Sequence, residues 1–290
     1  MRLYTIKIDG QSVPAVEKDG ILYRFCDMGL PFESLNDLII NGGEDGLEKI
    51  RASLDSLNGV QGFSPDSVTI CSPIEVPGQD IVCIGVNYNE HIMETTHVED
   101  FQNNEATVYF AKRASLISGT GAPIPEYDFV DRLDYEAELA VITGRDIKGY
   151  SRKSDPSPVF GYSVFNDVTA RNLQARHKQW YVGKSQDGYS IMGPCIVTAD
   201  EIEDVQNLNI CCRVNGETRQ SSNTKFMIQP VLNALEELSA GMTLKAGTIL
   251  ATGTPGGVAL GMKNPKYLKK GDVVECEIEK IGMIQNRVGC

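Results

Sequence analysis

Glu136 and Glu138 are the residues whose type and spacing first suggest chemistry. They sit in Asp134-Tyr135-Glu136-Ala137-Glu138-Leu139. Alternate residues of an extended strand point to one face, so the two glutamates project together with Asp134 close by. Carboxylates so close repel one another unless a cation or a proton lies between them. The apolar run Leu139-Ala140-Val141-Ile142 that follows marks a buried strand, where uncompensated charge costs most. Oxygen ligands with no His or Cys in the segment suit Mg²⁺ or Mn²⁺ rather than zinc. The same pattern also fits a solvated strand face beside Arg132, and the segment alone admits both readings. Farther on, Phe165-Asn166-Asp167-Val168-Thr169 ends an apolar strand with Asp167. That residue is placed to supply a third carboxylate or to cap the helix that follows.

The elements that must position these side chains are mostly strands. Asp9-Gly10 and Asp19-Gly20 are turn signals flanked by apolar runs at 3–8 and 21–25. A short helix over 44–57 follows, carrying Leu47, Ile50 and Leu54 at helical spacing. Pro73, Pro77 and Gly78 then punctuate the chain. This places a small β-rich N-terminal module at 1–75 and a larger domain at 76–290. In the latter, strands are expected at 81–86, 107–111, 135–143, 159–167, 194–198, 208–214, 248–251 and 272–279, and helices at 88–95, 168–179 and 228–240. Strands and helices do not alternate, which disfavours a doubly wound sheet. The expected class is mostly β with a few helices.

Composition narrows the function classes. The 290 residues carry 27 Lys plus Arg against 39 Asp plus Glu, a formal charge of -12, which opposes binding to nucleic acid or an anionic membrane. No apolar run approaches the roughly 18 residues needed to cross a bilayer. The start MRLYTIKIDG lacks a signal peptide's apolar core. These features lead to the expectation of a soluble, cytoplasmic protein. Eight cysteines, with no C-x-x-C pair among them, read as reduced, buried small hydrophobes rather than a metal or redox motif. Gly183-Lys184-Ser185 ends like a phosphate-binding loop, but Lys178 stands where that loop needs a glycine, so the motif fails.

Several blocks together resemble the fumarylacetoacetate hydrolase superfamily. They are IGVNYNEHIMET, LDYEAELAVITG, FGYSVFNDVTARNLQ, WYVGKSQDGYSIMGPCIVTADEI, VNGETRQSSNT, ILATGTPGGVALG and LKKGDVVECEIEKIGMIQNRVG. They run in colinear order over residues 78–290. The resemblance implies that family's mixed β-sandwich or roll, and three metal-binding carboxylates on Glu136, Glu138 and Asp167. It places a catalytic His–Glu pair on His91 and Glu94, which share a helix face at a spacing of three. A carboxylate beside an imidazole orients it and raises its basicity, although such a pair by itself also fits an ordinary surface contact. Lys184 matches an active-site lysine able to stabilise an oxyanion or enolate. Gln174 matches a substrate-contacting glutamine, and Thr254 a threonine that holds a carboxylate. Lys112 matches a basic position usually followed by proline; here Arg113 follows instead, and either residue is a candidate for a distal carboxylate. Residues 95–106 match a segment that orders as a lid over substrate, with His97 expected at the surface.

The resemblance implies a divalent-metal-dependent hydrolase that cleaves a C–C bond in acylpyruvate- or fumarylpyruvate-type 2,4-dioxo acids, with Mg²⁺ or Mn²⁺ as cofactor. Two alternatives use the same pocket: decarboxylation of oxaloacetate and isomerisation of a hydroxymuconate-type acid. A non-catalytic binding protein is a third reading, from a different class. The implied partners are a small 2-oxo acid and a second copy of the chain in a homodimer.

Overall fold

The computed structural model describes residues 1–95 and 106–289. Its strands are β1 (Arg2–Ile8), β2 (Gln11–Lys18), β3 (Ile21–Arg24), β4 (Gly62–Phe63), β5 (Thr69–Ile70), β6 (Ile81–Gly85), β7 (Val108–Lys112), β8 (Leu133–Asp134), β9 (Ala137–Thr143), β10 (Val159–Asp167), β11 (Thr169–Ala170), β12 (Ser190–Thr198), β13 (Asn209–Val214), β14 (Glu217–Asn223), β15 (Ile249–Ala251), β16 (Val273–Ile278) and β17 (Gly282–Arg287). The helices are α1 (Leu35–Asp37), α2 (Gly43–Leu54), α3 (Asn89–Thr95), α4 (Arg171–His177), α5 (Tyr181–Lys184) and α6 (Val231–Ser239). The chain is mostly β, as its pattern predicts.

One large sheet runs β4-β3-β2-β1-β12-β10-β9-β15-β6-β7, with β5 also pairing β1. Its pairings are antiparallel except β15 with β6. Residues 1–75 feed β1 to β5 into this same sheet, because Arg2 and Leu3 pair with Val197 and Ile196 of β12. A second sheet, β14-β13-β16-β17, packs on β9, β10 and β12.

Both faces of the central strands are therefore covered, which is why β9 reads as a continuous apolar run rather than an alternating one. Leu139 and Val141 join the core under the small sheet. Ala140 and Ile142 point the other way, into a second core with Leu35, Leu38 and Ile50 from the segment around α1 and α2. Truncating a fully buried leucine such as Leu139 to alanine costs about 2–5 kcal/mol in a core of this kind.

The helix expected over 168–179 is shorter, because Thr169 and Ala170 first pair with Asp134 and Leu133 and helix begins only at Arg171. Strands β2, β14 and β17 were not among those expected. β14 (ETRQSSN) and β17 (GMIQNR) are largely polar and give no apolar signature, while β2 (QSVPAVEK) carries only a short apolar stretch interrupted by Pro14.

Candidate metal centre and acid–base dyad

The ladder between β9 and β10 sets the carboxylates. Phe165 lies opposite Glu138 and Asn166 opposite Ala137. Asp167 N then donates to Glu136 O at 2.9 Å, carrying the register one residue further. Glu136 and Asp167 are thus cross-strand neighbours on the face that Glu138 also uses. One ligand oxygen from each lies within 4.8 Å of the others, and all three side chains are buried.

Three cations converge on them. Lys184, ending α5, donates to Glu136 Oε2 at 2.6 Å and to Asp167 Oδ2 at 2.7 Å. Lys112 donates to Asp167 Oδ1 and to the backbone oxygens of Val168 and Tyr189, the last two at 3.0 and 2.7 Å. Arg171, opening α4, donates through Nε to Asp134 Oδ2 at 2.8 Å and through Nη1 to Gln174 Oε1 at 3.1 Å. Its Nη2 lies 2.7 Å from Glu136 Oε1, an ion-pair contact that lacks the alignment of a hydrogen bond.

Four buried carboxylates, Asp134 included, face these three buried cations. The uncompensated charge falls on Glu138, whose hydrogen bond among the described residues is from Gly253 N at 2.8 Å. Burial, with Asp167 and Glu136 alongside, raises Glu138 well above the ordinary carboxylate value of 4.5. Burial also pushes Glu136 upward, but Lys184 and Arg171, with His91, outweigh it and bring this group down to about 2. The cluster lacks a positive charge beside an oxygen-only donor set, and a hard divalent cation fits that need.

The expected His91–Glu94 pair stands on α3. His91 Nδ1 lies 2.9 Å from Glu94 Oε1, and Glu94 Oε2 accepts from Gly257 N at 2.7 Å. The chain enters α3 through Val86, a β-branched residue at φ 59°, a backbone conformation costing of order 1–3 kcal/mol. Asn87 holds that turn, accepting from Gln229 N at 2.6 Å and donating to Thr252 O at 2.7 Å.

His91, Glu136, Glu138, Lys184, Gln174 and Thr254 all line one cleft, which Phe110 and Trp180 also border. Thr254 Oγ1 donates to Ala137 O at 2.9 Å and accepts from Gln220 Nε2 at 2.7 Å, so its hydroxyl is fixed rather than rotating. Two residues expected at the acid-binding end are placed elsewhere. Lys112 is buried with its ammonium committed to Asp167 and two carbonyls, so it supports a carboxylate of the acidic triad instead of facing the cleft. Arg113 points outward, its guanidinium 62% exposed and 4.0 Å from Asp80. The segment expected as a lid, and His97 within it, falls almost wholly on 96–105, outside the described residues.

Sequence reasoning left Arg171 and Asp134 without roles. Asp134 is no ligand here: its oxygens accept from Arg171 Nε, Ala259 N, Leu260 N and Tyr135 N. The available signal was an arginine four residues beyond Asp167, opening a helix that follows a largely apolar strand.

A family model described as fumarylacetoacetate (FAA) hydrolase C-terminal matches residues 80–289. The chain belongs to this family, and it is an enzyme. Among its relatives, the oxaloacetate tautomerase YisK of Bacillus subtilis is 41% identical over 228 residues, covering 78% of this chain and 75% of that protein. A mitochondrial oxaloacetate tautomerase of Xenopus laevis is 38% identical over 248 residues, covering 85% of this chain and 76% of that protein. A solved structure of a fumarylacetoacetate hydrolase from the psychrophile Exiguobacterium antarcticum aligns with a TM-score of 0.85 at 38% identity, covering 100% of this chain and 99% of that one. In the described part of this family member, no helix is long and apolar enough to cross a membrane.

Proposed function

We propose that this enzyme interconverts the keto and enol forms of a small 2-oxo acid of the oxaloacetate type. The observation that carries the reading is the His91–Glu94 pair, 2.9 Å apart, whose histidine lines the same cleft as Glu136 and Glu138 of the acidic triad. Relatives at 41% and 38% identity that bear the tautomerase name support it.

A divalent cation held by Glu136, Glu138 and Asp167, Mg²⁺ or Mn²⁺, would supply Lewis acidity toward the carboxylate and 2-oxo oxygens of the substrate. Glu94 fixes the His91 tautomer that carries a proton on Nδ1. Nε2 is then the nitrogen that takes a proton from substrate C3, or returns it. Lys184 provides a positive charge beside the oxygen that gains electron density in the enolate. In ketonisation the enol O–H proton leaves and a proton is added at C3. No bond between heavy atoms breaks, and no water is consumed.

The implied hydrolase reading remains the second one. It would use the same dyad to activate water, and the named relative from Exiguobacterium favours it.

The test follows enol decay by ultraviolet absorbance on oxaloacetate with Mg²⁺ or Mn²⁺, while assaying pyruvate release from acetylpyruvate and carbon dioxide release from oxaloacetate. Metal-dependent acceleration of enol decay, lost with His91→Ala and with EDTA, is the expected result. Acetate and pyruvate from acetylpyruvate with enol decay unchanged would reassign the enzyme as a hydrolase. Carbon dioxide release alone would make it a decarboxylase.

A further inference from the structure

The cleft has an acidic side and an aromatic side. On the aromatic side, the rings of Phe110 and Trp180 meet edge to face, centroids 5.0 Å apart at 71°. This geometry adds about 0.5–1.5 kcal/mol beyond buried area. Lys184 Nζ, which ties Glu136 to Asp167, sits 5.3 Å from the Phe110 ring centroid, so the aromatic wall begins next to the metal-binding carboxylates.

Trp180 rests on Gly85, the last residue of β6. A β-carbon built there would lie 2.3 and 2.7 Å from Cζ3 and Cη2 of the indole. Only glycine lets the edge of the ring approach the end of that strand so closely, and the indole borders the cleft there. Trp180 is also the sole tryptophan of the chain. The chemistry assigned above uses neither aromatic residue. Neither carries a group that titrates near neutral pH, and both border the cleft.

We propose that Trp180, seated on Gly85 and braced by Phe110, sets the length of 2-oxo acid that the cleft admits. It acts as the end wall that favours four-carbon acids over longer 2,4-dioxo acids. The proposal rests on the small 2-oxo acid reading given above. A hydrophobic wall discriminates by volume, and each methylene it excludes is worth about 10–200-fold in kcat/KM.

The experiment compares wild type, Trp180→Phe and Trp180→Ala, each loaded with Mg²⁺. It measures kcat/KM on oxaloacetate and on a seven-carbon 2,4-dioxo acid, and calorimetric affinity for two unreactive ligands, oxalate and a six-carbon 2-oxo acid analogue. The expected result is that Trp180→Ala shifts preference toward the longer compounds by about tenfold or more, mainly through KM and Kd. Mg²⁺ affinity stays unchanged, and Trp180→Phe keeps the wild-type preference within about threefold. Equal losses on short and long compounds would overturn the proposal, since they would mark Trp180 as packing alone. If no variant turns over either substrate, the tautomerase reading fails, and the calorimetric arm still decides the role of Trp180. Quenching of the single indole by oxalate in the wild type gives an independent readout, and an indole indifferent to bound oxalate would also count against the proposal.

Discussion

Gly261 lies so close to Glu94 that a β-carbon on it would stand 2.4 Å from Glu94 Cδ and 2.7 Å from Oε2. The carboxylate that orients His91 is thus boxed in by a backbone position lacking a side chain, while Gly257 N holds its Oε2 from the side. The dyad therefore depends on the 257–261 loop as well as on α3.

Gly261→Ala should separate catalysis from folding. The conflict is with the end of a flexible side chain, which can swing away at small cost, so stability should fall by about 1 kcal/mol or less. Displacing Glu94 removes the group that sets the His91 tautomer, and activity should fall about 10²-fold, with metal content unchanged. Thermal melts, metal analysis and kcat on the same preparation check this. A variant that keeps full activity would show that Glu94 does not orient the base.

Glu138 should make metal uptake pH-dependent. Its folded-state value is raised by burial and by Asp167 and Glu136, so the metal-free protein keeps a proton there to higher pH than an ordinary glutamate, and a cation must displace it. The sign for stability follows: this group favours folding most below its ordinary value of 4.5, and that contribution is lost as pH rises toward the raised folded value. Glu136 behaves oppositely, its contribution being present above 4.5 and lost as pH falls toward about 2. Calorimetry of Mg²⁺ or Mn²⁺ binding in two buffers of different ionisation heat should show proton release. Affinity should rise with pH in the wild type. Glu138→Gln should abolish the released proton and most of the affinity.

Lys112 separates a structural role from a substrate-binding one. All three hydrogen bonds of its ammonium go to Asp167, Val168 and Tyr189, and burial lowers its pKa. Lys112→Met leaves a buried carboxylate oxygen and two carbonyls short of a donor, a loss of about 3–5 kcal/mol. Denaturant melts should show that loss, and metal affinity should weaken with it. A stable variant with raised KM alone would instead return Lys112 to the acid-binding role its position in the sequence suggests.

The carboxylate face was legible because period-two spacing survives any detail of packing: Glu136 and Glu138 share a face in every extended register. Asp167 needed the β9–β10 pairing as well, which no local pattern encodes. Arg171 was harder still. Its partners, Asp134 and Glu136, are 37 and 35 residues away, joined only after the sheet forms, and an arginine opening a helix usually faces solvent. The polar β14 escaped notice because it contributes Gln220, which accepts from Ala137 N and donates to Thr254 Oγ1, rather than an apolar stripe to the core. The direction of Lys112 and Arg113 depended on which face of β7 meets β10's end, and alternation alone gave the relative but not the absolute facing.

Asp134 tests that long-range dependence. It is fully buried and serves at once as the partner of Arg171 Nε at 2.8 Å and as the acceptor for Ala259 N and Leu260 N at 2.9 and 3.1 Å. Asp134→Leu strands a buried guanidinium and frees the loop that carries Gly257 and Gly261. The expected loss is about 3–5 kcal/mol from the uncompensated charge. Asp134→Asn keeps one acceptor and should lose less, about 1–3 kcal/mol. Because Arg171 also contacts Glu136 Oε1 and Gln174 Oε1, the asparagine variant should fold yet bind substrate and metal more weakly, both rising together in KM and metal Kd. Urea melts alongside those two constants provide the check. An Asp134→Asn protein with wild-type stability and wild-type metal affinity would show that Arg171 holds its place without this carboxylate, and that the positioning chain from the 259–260 turn to Glu136 does not operate.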